Sequence, residues 1–98
     1  MINRKINELC MSWDSGDQYG CTMAWAFGAA DALDAAGEEI PHDWEYSPGA
    51  GNGGEYSFEC VAVTEAVKSG EITWDDVRTL GNALLRYRAI LVSRGESY

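Results

Sequence analysis

Apolar positions recur along this chain at helical spacing, most clearly in its last third. Val77, Leu80, Leu84, Tyr87 and Leu91 are separated by 3, 4, 3 and 4 residues, which puts them on one face of an α-helix. Thr73 stands where an N-cap belongs, Asp75 and Asp76 fall in the first turn, and Arg88 and Arg94 lie toward the far end. That arrangement suits the helix dipole, and Gly95 supplies the stop. A second, Ala-rich helix is expected over Gln18 to Ala36, with Met23, Trp25, Phe27 and Leu33 as its large apolar residues. Asp17 can cap it, Gly37 sits at the left-handed terminating position, and Pro41 prevents resumption. Ala24, Gly28 and Ala32 form a small-residue stripe that would let another helix approach closely.

Two segments read less simply. Ile2, Ile6 and Leu9 share a face and outline a short first helix over Ile2 to Met11, followed by a turn over Trp13 to Asp17. In Tyr56 to Ser69, Tyr56, Phe58, Cys60 and Ala62 alternate with polar residues as a strand would. Tyr56, Cys60, Val63 and Val67 instead follow helical spacing. Lys68 followed by Gly70 favours the helix. Between these elements, residues 40–55 hold two prolines and Gly49, Gly51, Gly53 and Gly54, which predicts a long loop. The expected architecture is one mainly α domain over 1–98. It is a small bundle of three to four helices with one Gly/Pro-rich loop at 40–55; the alternative is α+β with a short strand near 56–63.

Charge sharpens this picture. The 98 residues carry 16 acids against 7 bases, a net charge of −9. No Lys or Arg occurs between Lys5 and Lys68, while Glu8, Asp14, Asp17, Asp31, Asp34, Glu38, Glu39, Asp43, Glu45, Glu55, Glu59 and Glu65 do. Such a field repels nucleic acid and anionic membranes and steers basic partners inward. Small acidic domains also use such charge for solubility alone. The apolar content of 46% is too high for a disordered chain.

The chemistry-bearing residues are sparse. Cys10, Cys21 and Cys60 are odd in number and widely spaced, which argues against a disulfide framework or a zinc site and for buried thiols. His42 is alone in a polar loop, and no hydrolase or deaminase motif accompanies it. Asp14 to Asp17 lacks the order of a calcium loop, and the glycines at 49–54 lack the Lys-Ser or Lys-Thr of a phosphate loop. No cofactor, metal or catalytic residue is expected. The N-terminus has no secretory signal, and no stretch approaches the roughly 18 apolar residues of a membrane span, so a cytoplasmic chain is expected.

Two groups of residues stand out as candidate sites. Asp31, Asp34, Glu38 and Glu39 crowd the C-terminal end of the Ala-rich helix, where the dipole disfavours acids by about 0.3–1 kcal/mol each. The acids continue into Asp43 and Glu45, flanking Trp44 and Tyr46. An acidic cluster around two aromatics suits a hot spot for a basic partner. The blander reading tucks both aromatics into the core. The second group, Arg78, Asn82 and Arg86 with Trp74 one turn earlier, lines one stripe of the last helix and suits an anionic ligand such as a signalling nucleotide.

The run Ile40-Pro41 through Trp44-Glu45-Tyr46-Ser47-Pro48-Gly49 resembles small acidic proteins encoded by bacteriophages and prophages. Leu80 to Tyr87 and the terminal Gly95-Glu96-Ser97-Tyr98 extend the resemblance over about the last 60 residues. It brings no activity to assign to individual residues. It does imply a phage setting, in which small acidic proteins inhibit host enzymes or defence complexes by covering a nucleic-acid-binding surface. The leading expectation is therefore a non-enzymatic inhibitor of a host defence complex of the CRISPR type, or of another nucleic-acid-handling complex, acting in the host cytoplasm. It would dock Asp31, Asp34, Glu38, Glu39, Asp43 and Glu45 on a basic protein surface, anchored by Trp44 and Tyr46, without touching nucleic acid or membrane. The alternatives are a nucleotide-binding module built on Trp74, Arg78, Asn82 and Arg86, or a phage assembly accessory.

Overall fold

A computed structural model describes residues 18–46 and 54–95, and these fold as a mainly helical bundle. Its helices are α1 (Gln18–Ala35), α2 (Phe58–Lys68) and α3 (Trp74–Ser93), with short 3-10 turns at His42–Trp44 and Gly54–Tyr56. No strand occurs among the described residues. The helix expected over Ile2 to Met11, the turn at Trp13 to Asp17, the Asp17 cap and the centre of the 40–55 loop lie outside them.

α1 is the middle element and packs against both α2 and α3. Its composition explains why. Trp25, Ala29, Ala32 and Leu33 are fully buried, and Ala26 and Ala30 nearly so, so apolar surface runs around much of the helix instead of along one stripe. The small-residue stripe works as expected at Gly28, where a Cβ would stand 2.4 Å from the Cβ of Glu59. Only glycine lets α2 cross α1 this closely.

α1 ends in a Schellman motif. Glu38 N–H donates to Leu33 C=O (2.9 Å) and Gly37 N–H to Asp34 C=O (3.1 Å), with Gly37 at φ 72°. The same device ends α2, where Glu71 N–H reaches Ala66 C=O (3.0 Å) and Gly70 N–H reaches Val67 C=O (3.1 Å). The chain then drops Ile72 into the core.

The strand alternative for 56–63 gives way to helix. Ser57 caps α2, its Oγ accepting from Cys60 N–H at 3.1 Å. Cys60, Val63 and Ala66 face inward at helical spacing, while Tyr56 and Phe58, which carried the strand alternation, are exposed. α3 begins with a full capping box: Thr73 Oγ1 accepts from Asp76 N–H (3.1 Å), and Asp76 Oδ2 accepts from Thr73 N–H (2.9 Å). Val77, Leu80, Leu84 and Leu91 are its buried face, as their spacing predicts.

Candidate functional site

The segment that joins α1 to the rest of the chain carries the acidic cluster, and it is clamped to α3 at several points. Pro41 opens a 3-10 turn closed by Trp44 N–H donating to Pro41 C=O (3.2 Å). Trp44 then turns inward and is only 7% exposed. Its indole Nε1–H donates to Asn82 Oδ1 at 2.7 Å. Its ring lies flush on Gly81, where a Cβ would come within 2.1 Å of the indole. Glu45 takes a left-handed backbone (φ 51°, ψ 45°), which costs a non-glycine residue about 1–2 kcal/mol. That reversal returns Tyr46 toward α1, where its hydroxyl donates to Asp31 Oδ1 at 2.6 Å.

The two ends of this strap therefore bind different helices, and both bonds use polar groups that the sequence reading assigned to a surface. Trp44 is not a displayed anchor, because its ring fills the space above Gly81. Asp31 is not a displayed acid either; it is 3% exposed and receives the Tyr46 hydroxyl. Tyr46 is partly buried, and desolvation, followed by the bond to Asp31, raises its phenol above the ordinary tyrosine range.

A second clamp comes from Arg78 on α3. Its Nη2 pairs with Glu38 Oε1 (3.1 Å), its Nε donates to the Glu39 backbone carbonyl (2.8 Å), and its Nη1 pairs with Asp75 Oδ1 (2.7 Å). The penalty of placing Glu38 beyond the negative end of α1 is thus offset by a guanidinium from another helix. That pairing was not readable locally, since 40 residues separate the partners.

What remains outward is a shorter anionic edge. Asp34, Glu39, Asp43 and Glu45 are all exposed. They follow one another from the last turn of α1 through the strap, and Glu38 is half-turned into the Arg78 pair. The four side chains sit on backbone held by the Schellman motif, Arg78, Trp44 and Tyr46.

The alternative anion site on α3 comes apart in the same geometry. Trp74, Arg78, Asn82 and Arg86 keep their helical spacing, but Arg78 is engaged with Glu38, Asp75 and the Glu39 carbonyl. Asn82 accepts from Trp44. Arg86 is exposed, and Trp74 is partly buried against the core. A stripe whose middle members hold the strap leaves little to converge on a ligand. The cleft beside the strap, bounded by Met23, Phe27, Leu85 and Arg88, holds about 40 Å³, which is water-sized.

No group of three or more His, Cys, Asp or Glu placed to hold a metal ion occurs among the described residues. His42 is exposed in the 3-10 turn. Cys60 is a buried free thiol whose pKa is raised by desolvation, the reverse of an activated nucleophile. Cys10 lies outside the described residues. No helix among the described residues is long and apolar enough to cross a membrane.

Sequence reasoning missed three features. Gly81 drew no expectation from the sequence, yet a Cβ there would meet the Trp44 ring. Glu59 is 3% exposed in the first turn of α2, and burial raises its carboxyl pKa. Tyr56, Phe58 and Val61 stand out in solvent, at 84%, 55% and 41% exposure. No protein-family model matches this chain, and no curated protein or solved structure is found similar to it.

Proposed function

We propose that this chain is a binding protein, not an enzyme, and that its anionic edge docks onto a basic protein surface. The observation that carries this reading is the outward display of Asp34, Glu39, Asp43 and Glu45 on a strap clamped by the Trp44–Asn82, Tyr46–Asp31 and Arg78–Glu38 contacts. Carboxylates on a held backbone are worth more to a partner than those on a mobile one, because less ordering is lost on binding. The base-free stretch from Ile6 to Val67 keeps the field of one sign.

A Lys/Arg-rich groove that ordinarily takes DNA or RNA phosphates is the partner surface this edge suits. Together with the resemblance to small phage proteins, that makes an inhibitor of a host defence complex of the CRISPR type, or of another nucleic-acid-handling complex, the reading we favour.

Charge reversal tests it. The variant Asp34→Lys/Glu39→Lys/Asp43→Lys leaves Glu38 in place, because Arg78 depends on it. Captured from host extract at low salt, the partner bound by the natural chain should be lost to the variant, and added salt should weaken the natural complex. Retention of the same partner by a folded triple variant would reject this surface.

A further inference from the structure

We infer that a second surface supplies the apolar anchor of the interaction. This is the ledge of Tyr56, Phe58 and Val61, and it takes a basic amphipathic segment of a partner protein. The inference rests on the reading of the chain as a binder of basic proteins, but it assigns the anchoring to residues outside the anionic edge.

The ledge is exposed and yet fixed in place. Phe58 and Val61 are one helical turn apart at the start of α2, so they share a face, and Tyr56 ends the preceding 3-10 turn. Ser57 between them caps the helix. Phe58 meets buried Trp25 edge-on, with centroids 6.1 Å apart and planes at 82°, so its ring is set by the core while over half of it stays exposed. Aromatic and aliphatic surface held outward by a cap and a core contact fits an interaction site.

Charge and shape beside the ledge identify the occupant. An open depression of about 260 Å³ adjoins Val61, with Ala35 and Cys60 among its lining residues and Glu55 and Glu65 among its polar ones. It is smaller than the sites that bury drug-sized ligands, but it has room for one long side chain. A Lys or Arg from the partner can lay its aliphatic stem on Ala35 and Val61 and bring its charge to the carboxylates. Lys68 borders the same depression one turn from Glu65, so Glu55 carries the larger share of the attraction. Two copies of this chain meeting ledge to ledge would instead bring Glu55 and Glu65 of both together, at a net charge of −9 each. Like-charge juxtaposition of that kind opposes self-pairing.

An amphipathic Leu/Lys peptide is the probe, with a Leu/Glu peptide of the same pattern as control. Binding is measured by titration and located by backbone amide shifts. The variant Tyr56→Ala/Val61→Ser spares the Trp25 contact, and a thermal melt verifies its fold. It should bind the Leu/Lys peptide about ten-fold more weakly, the loss expected for a modest hot spot. The largest shifts should fall within residues 55–65. The neutralised edge variant Asp34→Asn/Glu39→Gln/Asp43→Asn should lose much less.

Unchanged affinity in the ledge variant would overturn the inference, as would equal binding of the Leu/Glu peptide. So would a dimer in solution that the ledge substitutions dissociate. If the edge variant loses the peptide and the ledge variant keeps it, the ledge falls and the anionic edge stands. The opposite result supports the ledge, and the edge is then judged by the charge-reversal test on the host partner.

Discussion

Two aromatic pairs flank the glycine-rich centre of this chain, and they end up in opposite environments. Trp44 and Tyr46 precede it, Tyr56 and Phe58 follow it, and each pair has acids beside it. The first pair is drawn inward, Trp44 onto Gly81 and Asn82, Tyr46 onto Asp31. The second stands largely in solvent. What separates them is not their own chemistry but the presence of a shaped and polar receptor elsewhere in the chain. An indole needs both space and an acceptor before burial is favourable, and α3 offers both in consecutive residues. Among the described residues, Tyr56 meets no such pair of partners.

The strongest way to break the contrast is to empty the inward site. Trp44→Ala removes the largest contact between strap and α3 and leaves Asn82 without its donor. Loss of a buried large aromatic typically costs about 3–5 kcal/mol, so the melting temperature should collapse or the bundle should fail to fold. A cost under about 1 kcal/mol by denaturant titration would mean that the indole does not clamp the strap to α3.

Tyr46→Phe is a narrower cut. It removes one hydroxyl and leaves the buried Asp31 carboxylate without that donor, a loss of about 1.5–3 kcal/mol for a bond to a charged group. The same bond has a pH signature. Because burial and Asp31 raise the phenol pKa in the folded state, the folded chain holds this proton more tightly than the unfolded one. The contribution is intact below about pH 10, the ordinary tyrosine value, and falls as pH rises above it. Stability curves of the natural chain and of Tyr46→Phe should therefore converge in alkali. Parallel curves would refute the linkage.

Gly81→Ala pits two effects against each other. Alanine gains about 1 kcal/mol of helix propensity over glycine inside a helix. Against that, its Cβ would sit 2.1 Å from Trp44, in a space the indole already fills. Overpacking of this kind costs about 1–3 kcal/mol, so the net change should be a destabilisation of about 1 kcal/mol. In the Trp44→Ala background the same substitution should turn neutral or stabilising. That sign change, in a double-mutant cycle, is the sharpest evidence that Gly81 exists for Trp44.

The bundle itself was legible because local signals agreed. Thr73, Asp75, the Val77 to Leu91 face and Gly95 all point to one helix, and Gly37 and Gly70 stand where each helix needs a left-handed residue. Helix against strand at 56–63 was settled by which residues face inward, Cys60, Val63 and Ala66, and that depends on α1. The acidic cluster was visible as composition, yet its division into inward Asp31, paired Glu38 and outward Asp34, Glu39, Asp43 and Glu45 was not. That sorting is made by Tyr46, Arg78 and the strap's path, through contacts spanning 15 to 40 residues. The orientation of the aromatics was hidden for the same reason.

Glu59 gives a smaller, pH-dependent effect on the side of the molecule that carries the exposed pair. Desolvation raises its carboxyl pKa, so the folded state holds a proton here at pH values where the unfolded chain has lost it. Its contribution is most favourable below the ordinary glutamate value of about 4.3 and declines as pH rises through the raised folded value. Glu59→Gln removes the titration while keeping the shape. It should raise the melting temperature near pH 7 and change little near pH 4. An equal effect at both pH values would point to altered packing against Gly28 instead.

Truncating the outward pair should cost the fold far less. Tyr56 is 84% exposed, so Tyr56→Ala removes little packing, and stability should move by no more than about 0.5 kcal/mol. Set beside Trp44→Ala, two aromatic truncations twelve residues apart should differ several-fold in cost. A large loss at Tyr56 would mean that its ring supports the start of α2, and the contrast between an inward structural pair and an outward available pair would disappear. A small loss, coupled to weaker capture of the Leu/Lys peptide, would separate the two roles: Trp44, buried on Gly81, holds the fold, and Tyr56, exposed, serves a partner.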